Sequence, residues 1–140
     1  GGVDKALLRV SRLGDGWMPI SSSPHSFVEG SERLRSFAIQ SGREELSLHR
    51  CLYTTLNINE DGERADREMR KFIETYYDAP YEQMASHQGI CSGTAYQCAL
   101  WLNQFVDAGV ETIILRFGTS DQIGQMDRFV KDVFPKIHLT

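Results

Sequence analysis

Tyr53, Thr55 and Arg116 are polar side chains set in otherwise apolar stretches of this sequence. A phenol, a hydroxyl and a guanidinium in such places can hydrogen-bond a ligand or counter its charge. Tyr53 and Thr55 fall on the same face of a segment with period two, in which Leu46, Leu48, Leu52, Leu56 and Ile58 share one side and His49, Cys51, Tyr53, Thr55 and Asn57 the other. A mixed face of this kind points either at solvent or into a ligand cavity, and Tyr53 is equally readable as a packed residue with its hydroxyl satisfied. Arg116 sits near the end of the apolar run Thr112-Ile113-Ile114-Leu115-Arg116-Phe117. A buried arginine needs an anionic partner, and phosphate, an anionic substrate and a structural carboxylate all qualify.

A second group lies at the start of the sequence. Gly1-Gly2-Val3-Asp4 leads into a helical pattern, the arrangement in which glycine lets backbone N–H groups approach a phosphate at a helix N-terminus. The alternative is a terminal glycine pair with no ligand, and the Asp4 carboxylate repels phosphate unless it points away. Trp17, followed by Pro19, ends a short apolar stretch and either walls a pocket or packs in the core. His25, His49, His87 and His138 are scattered, and the Cys91 and Cys98 spacing matches no standard zinc motif, so no metal site is expected. There is no serine nucleophile elbow and no Walker sequence.

The chain has 140 residues, 41% hydrophobic and 24% charged, with a net charge of −4. These values describe one globular domain and exclude a mainly disordered chain. No basic cluster stands out, so nucleic acid is not an expected partner. No apolar run has the ~18 residues of a membrane span. Three cysteines, Cys51, Cys91 and Cys98, do not make a disulfide framework, and a reducing cytoplasm is the expected compartment.

The elements that must position these residues alternate. A helix is expected over residues 5–13, capped by Asp4, with Ala6, Val10 and Leu13 on one face. A strand Trp17-Met18-Pro19-Ile20 follows. Ser23-Pro24 opens a helix carrying Phe27, Leu34, Phe37 and Ala38, with a possible interruption at Gly30. The strand over 46–58 comes next, then a helix marked by Ala65, Met69, Phe72, Ile73 and Tyr76. Residues 78–92 read as a long loop. Thr94 and Gln97 form a capping box before Cys98, Trp101, Leu102 and Phe105. The apolar run 112–117 reads as a strand buried on both faces. Thr119 and Gln122 open a last helix with the stripe Ile123, Met126, Phe129, Val130 and Val133. This order predicts an α/β fold with parallel strands. It amounts to roughly half of a (β/α)8 barrel, which takes about 250 residues. The first element is a helix, so a preceding strand is expected to end near Gly1-Gly2.

Three ordered segments resemble the C-terminal half of the bacterial luciferase-like flavin-dependent oxidoreductases. They are Gly1 through Pro19 with its Gly14-Asp15-Gly16-Trp17, Ser92-Gly93-Thr94-Ala95 through Asp107-Ala108-Gly109-Val110, and Ile113 through Phe117 with Val133-Phe134-Pro135. Ala95 stands where the family usually has proline. The resemblance implies a partial TIM-type barrel, spanning residues 1–140, and a flavin-dependent monooxygenase or oxidoreductase that uses FMN or a deazaflavin (coenzyme F420-type) on a small organic substrate. It further implies that Gly1, Gly2, Val3 and Asp4 belong to the flavin phosphate site, with Trp17 nearby. Tyr53, Thr55 and Arg116 would then face the lumen as candidate catalytic residues, with 78–92 a lid. The expected partners are a small-molecule substrate and either the missing N-terminal half-barrel or a second copy. The alternative function is a non-catalytic half-barrel that self-associates or pairs with another subunit.

Overall fold

The computed structural model describes residues 2–44 and 48–138. Its elements are α1 (Gly2–Leu13), β1 (Gly16–Trp17), α2 (Pro24–Gln40), β2 (His49–Ile58), α3 (Gly62–Tyr77), α4 (Tyr81–Ala85), β3 (Gly89–Gly93), α5 (Ala95–Asp107), β4 (Thr112–Phe117) and α6 (Gln122–Arg128). A π-helical turn over Phe129–Val133 and a 3-10 turn over Phe134–Lys136 follow α6.

All strand pairs are parallel, and β2 is the hub. β4 runs along one edge, pairing Cys51 with Thr112 through Leu56 with Phe117. β1 and β3 share the other edge in succession: β1 pairs at His49 and Arg50, β3 at Thr54 through Ile58. The hydrogen bonds say why. The N–H groups of His49 and Asn59 donate to Asp15 and Gly93, whereas the carbonyls of Arg50 and Leu56 accept from Glu111 and Gly118. Odd and even residues of a strand turn their backbone groups to opposite edges.

The side chains alternate across the two faces in the same way. Leu52, Leu56 and Ile58 are buried beneath α2 and α5, where Phe27, Cys98, Ala99, Leu102 and Phe105 meet them. Each leucine, isoleucine or phenylalanine among them contributes about 1.5–3 kcal/mol on burial. This is the apolar face expected from the sequence; Leu46 lies outside the described residues. The opposite, inner face carries Cys51, Tyr53, Thr55 and Asn57.

Helix boundaries follow their caps. Ser23 and Ser26 close a capping box at α2 with Pro24 in the first turn, and Thr94 with Gln97 does the same at α5. Asp61 caps α3 by accepting from Arg64 N–H. Gly30 does not break α2; its missing side chain leaves room for the Trp17 indole.

Several expectations are corrected. α1 begins at Gly2, so Asp4 sits inside its first turn and is not the cap. α1 buries Leu7 and Ser11 against α2, and Leu13 is exposed. The strand at Trp17 stops there, leaving Met18 and Ile20 exposed. Residues 78–92 are not a bare loop: they fold into α4 and β3. β4 is not buried on both faces, because nothing described covers its inner side at Ile114, which is 43% exposed. The cap of α6 is Asp121 and not Thr119. The expected stripe is also turned: Gln125 of α6 and Val133 of the π-helical turn are buried, while Ile123 and Met126 of α6 and Val130 of the turn are exposed. The Gln125 amide sets this rotation by accepting from Ile58 N–H at 2.7 Å and donating to Ile58 C=O at 2.9 Å, which caps the end of β2.

Candidate functional site

The inner face at the C-terminal end of the sheet gathers the polar residues. In β2 and β4 the register sets Thr55 beside Arg116, so both point the same way. Arg116 donates from Nε to Thr55 Oγ1 at 3.1 Å and from one terminal nitrogen to the same oxygen at 2.9 Å. Its other terminal nitrogen donates to the Tyr77 hydroxyl at 3.2 Å. Tyr77 in turn donates to Gln88 Oε1 at 3.2 Å. Four aromatic rings stand around the guanidinium carbon: Tyr76 at 4.8 Å, Phe72 and Tyr77 at 5.4 Å, and Tyr53 at 5.5 Å. Their negative faces stabilise a cation without neutralising it.

No carboxylate among the described residues pairs with Arg116. The structural-carboxylate explanation therefore has no support there. The charge stays available on a half-buried group whose immediate partners are all neutral.

Beyond this cluster the face continues to Asn57, which is fully buried. Its amide nitrogen donates to Gly118 C=O at 3.0 Å and to Glu68 at 3.2 Å, which fixes the orientation of the amide. Its Oδ1 is buried with no hydrogen-bond partner, a costly state for an acceptor unless something donates to it. Glu68 is itself held below the usual carboxylate range, first by the hydrogen bond from Arg64 and also by that from Asn57, against the opposing effect of burial. An apolar groove of about 460 Å³ opens alongside, lined by Glu68, Lys71, Phe72, Thr75, Tyr76, Thr119 and Ser120. Phe72 and Tyr76 thus serve both the groove and the arginine cage.

The structure brings Tyr53, Thr55 and Arg116 together as one cluster, and the remaining sequence-derived residues lie elsewhere. Trp17 pairs with Arg50, so its indole is on the helix-covered face, stacked on Phe27 at 5.3 Å; this is the core-packing arrangement. Gly1 lies outside the described residues, and Gly2 and Val3 are in the first turn of α1. Asp4 is ion-paired with Arg33, so its charge is countered locally. Reading the sequence missed Tyr77, Gln88 and Glu68, and used Phe72, Tyr76 and Asn57 only as markers of periodicity.

No family model matches the chain. No curated protein matches it either. Solved structures do. An F420-dependent secondary alcohol dehydrogenase, in complex with an F420–acetone adduct, matches over 97% of this chain and 47% of its own, at 15% identity and a TM-score of 0.76. The coenzyme F420-dependent tetrahydromethanopterin reductase of Methanopyrus kandleri matches over 96% of this chain and 49% of its own, at 13% identity and 0.68. The oxygenating constituent of 3,6-diketocamphane monooxygenase from Pseudomonas putida, in complex with FMN, matches over 95% and 46%, at 15% identity and 0.64. The chain has the fold of these proteins and spans about half their length. At the level of fold, this bears out the resemblance to the luciferase-like oxidoreductases.

Proposed function

We propose that this chain is the C-terminal part of a luciferase-like (β/α)8 barrel, completed by a further half, and that the whole protein is a flavin-dependent oxidoreductase or monooxygenase. It would take FMN or a deazaflavin and a small organic substrate. The observation that carries the reading is the likeness of nearly the whole chain to half of an F420-dependent dehydrogenase. The inner face supports it. Barrel enzymes work at the C-terminal ends of their strands, and there this chain holds an arginine without a carboxylate partner among the described residues and an unsatisfied Asn57 acceptor.

Arg116 fits a flavin-type ring, which when reduced carries a delocalised negative charge. Arg116 would face the anionic edge or an acidic substrate group, with Thr55 and Tyr77 holding its fork. Tyr53 would present its hydroxyl to the substrate. The first turn of α1, from Gly2 through Asp4, has the free N–H groups of a helix start, and Arg33 offsets the Asp4 carboxylate there. The cofactor would supply the hydride or oxygen chemistry; the protein would bind, orient and exclude water.

The test is a titration of the natural full-length protein with FMN and with coenzyme F420, followed by visible absorption. One cofactor is expected to give a saturable spectral change, and Arg116→Ala should weaken binding roughly ten- to a hundredfold, the worth of a charge-assisted hydrogen bond. Silence with both cofactors would overturn the reading. It would favour the non-catalytic, self-associating half-barrel, for which the exposed Ile123, Met126 and Val130 speak.

A further inference from the structure

We propose that Cys91 and Cys98 form a redox-active dithiol, a modification site at which peroxide closes a reversible disulfide between β3 and α5. The two sulfurs lie 3.9 Å apart. Cys91 pairs in register with Leu56, so it projects from β3 onto the helix-covered face, where Cys98 meets it from the first turns of α5. Closing the bond brings the sulfurs from that contact to about 2.05 Å. Cys51 belongs to the opposite, inner face through its pairing with Thr112, so it stands outside the pair.

The two thiols are unequal. Cys98 is fully buried, and its Sγ lies 3.8 Å from Gly93 C=O and 3.9 Å from Asn57 C=O, acceptors that favour the protonated form. Cys91 is only half-buried, and its contact with Cys98 lowers the Cys91 pKa while the same contact and burial raise that of Cys98. Cys91 is therefore the sulfur that ionises and that a small oxidant reaches.

The chemistry balances with hydrogen peroxide as the oxidant. The Cys91 thiolate attacks one peroxide oxygen, the O–O bond breaks, and Cys91 becomes a sulfenic acid with hydroxide leaving. The Cys98 sulfur then attacks Cys91 Sγ, the S–O bond breaks, and the Cys98 proton leaves with that oxygen as water. Both sulfurs are oxidised and one peroxide is reduced to two waters. A dithiol reductant reverses the step by exchange. The proposal rests on the thiol contact and stands whether or not a flavin binds.

The experiment treats the protein with stoichiometric hydrogen peroxide, alkylates the remaining thiols and maps the peptides by mass spectrometry. The expected result is a loss of about 2 Da (two hydrogens), a linked Cys91–Cys98 peptide, Cys51 alkylated, and full reversal by dithiothreitol. Cys51→Ser should behave identically, and Cys91→Ser should abolish the link. Cys98→Ser should trap a sulfenic acid at Cys91; if that variant does not fold, the wild-type peptide map decides alone. Oxidation of Cys91 to the sulfinic acid with Cys98 still alkylated, linkage through Cys51 only, or no reaction at Cys91 would each overturn the proposal.

Discussion

Arg116 separates two roles that stability measurements can tell apart. Breaking a buried ion pair costs about 3–5 kcal/mol, because a charge is stranded. Arg116 has neutral hydrogen-bond partners and aromatic neighbours, so Arg116→Met should lower urea stability by only about 1–2 kcal/mol. A loss twice that size would show an ion pair the geometry lacks. Glu68 supplies a pH signature. Its carboxyl is held below the usual range, chiefly by Arg64, so its stabilisation is present above the ordinary value of about 4.3 and is lost as pH falls through the depressed one. Acid titration of Glu68→Gln should show a shallower loss of stability below that range than the unaltered protein. Tyr53, Thr55 and Arg116 were legible in the sequence because period-two alternation assigns a face. Phe72, Tyr76 and Tyr77 were not, because aromatics at helical spacing look the same whether they pack a core or cage a cation. Asn57 was placed on its face, yet an unsatisfied acceptor is a property of its surroundings that no pattern carries.

At the scale of elements, the caps and alternation were readable, and the breaks were not. Ser23-Pro24 and Thr94 with Gln97 mark α2 and α5 because local side-chain bonds to free N–H groups decide where those helices start. β3 escaped detection since Gly89–Gly93 has no hydrophobic period; its pairing to β2 is a long-range fact. Gly89 opens that pairing opposite Thr54 and leaves no room for a side chain. A Cβ there would stand 2.8 Å from Ser21 C=O and 3.1 Å from Thr54 Oγ1, and the Thr54 hydroxyl already donates to Gly89 C=O at 2.7 Å. Gly89→Ala should therefore cost about 1–3 kcal/mol, the range for overpacking, read as a lower urea midpoint with an unchanged slope. Unaltered stability would mean that β3 is free to shift away from Ser21.

For the whole molecule, one group of exposed apolar side chains lies on β4 and the helical turns that follow it. That strand pairs only with β2 among the described residues, Ile114 on its inner face is exposed, and α6 presents Ile123, 73% exposed, with Met126, while the π-helical turn after it presents Val130. Positions i and i+3 on a helix lie on one face, so Ile123 and Met126 form an apolar pair there, and apolar side chains left to water beside an open strand edge make a surface that association covers. The solved structures that this chain resembles are about twice as long, and in the proposed barrel the next strand and helix would lie against this surface. The 140-residue chain by itself should consequently self-associate in sedimentation experiments as its concentration rises. Replacing Ile123 and Val130 by lysine should shift it toward monomer without lowering its melting temperature, since both side chains are already exposed. In the proposed barrel, the complementary half should have the same effect on the unaltered chain, by covering these side chains. A chain that stays monomeric at high concentration with the stripe intact would mean that α6 is covered by its own residues, and the incomplete-ring picture would lose its physical motive.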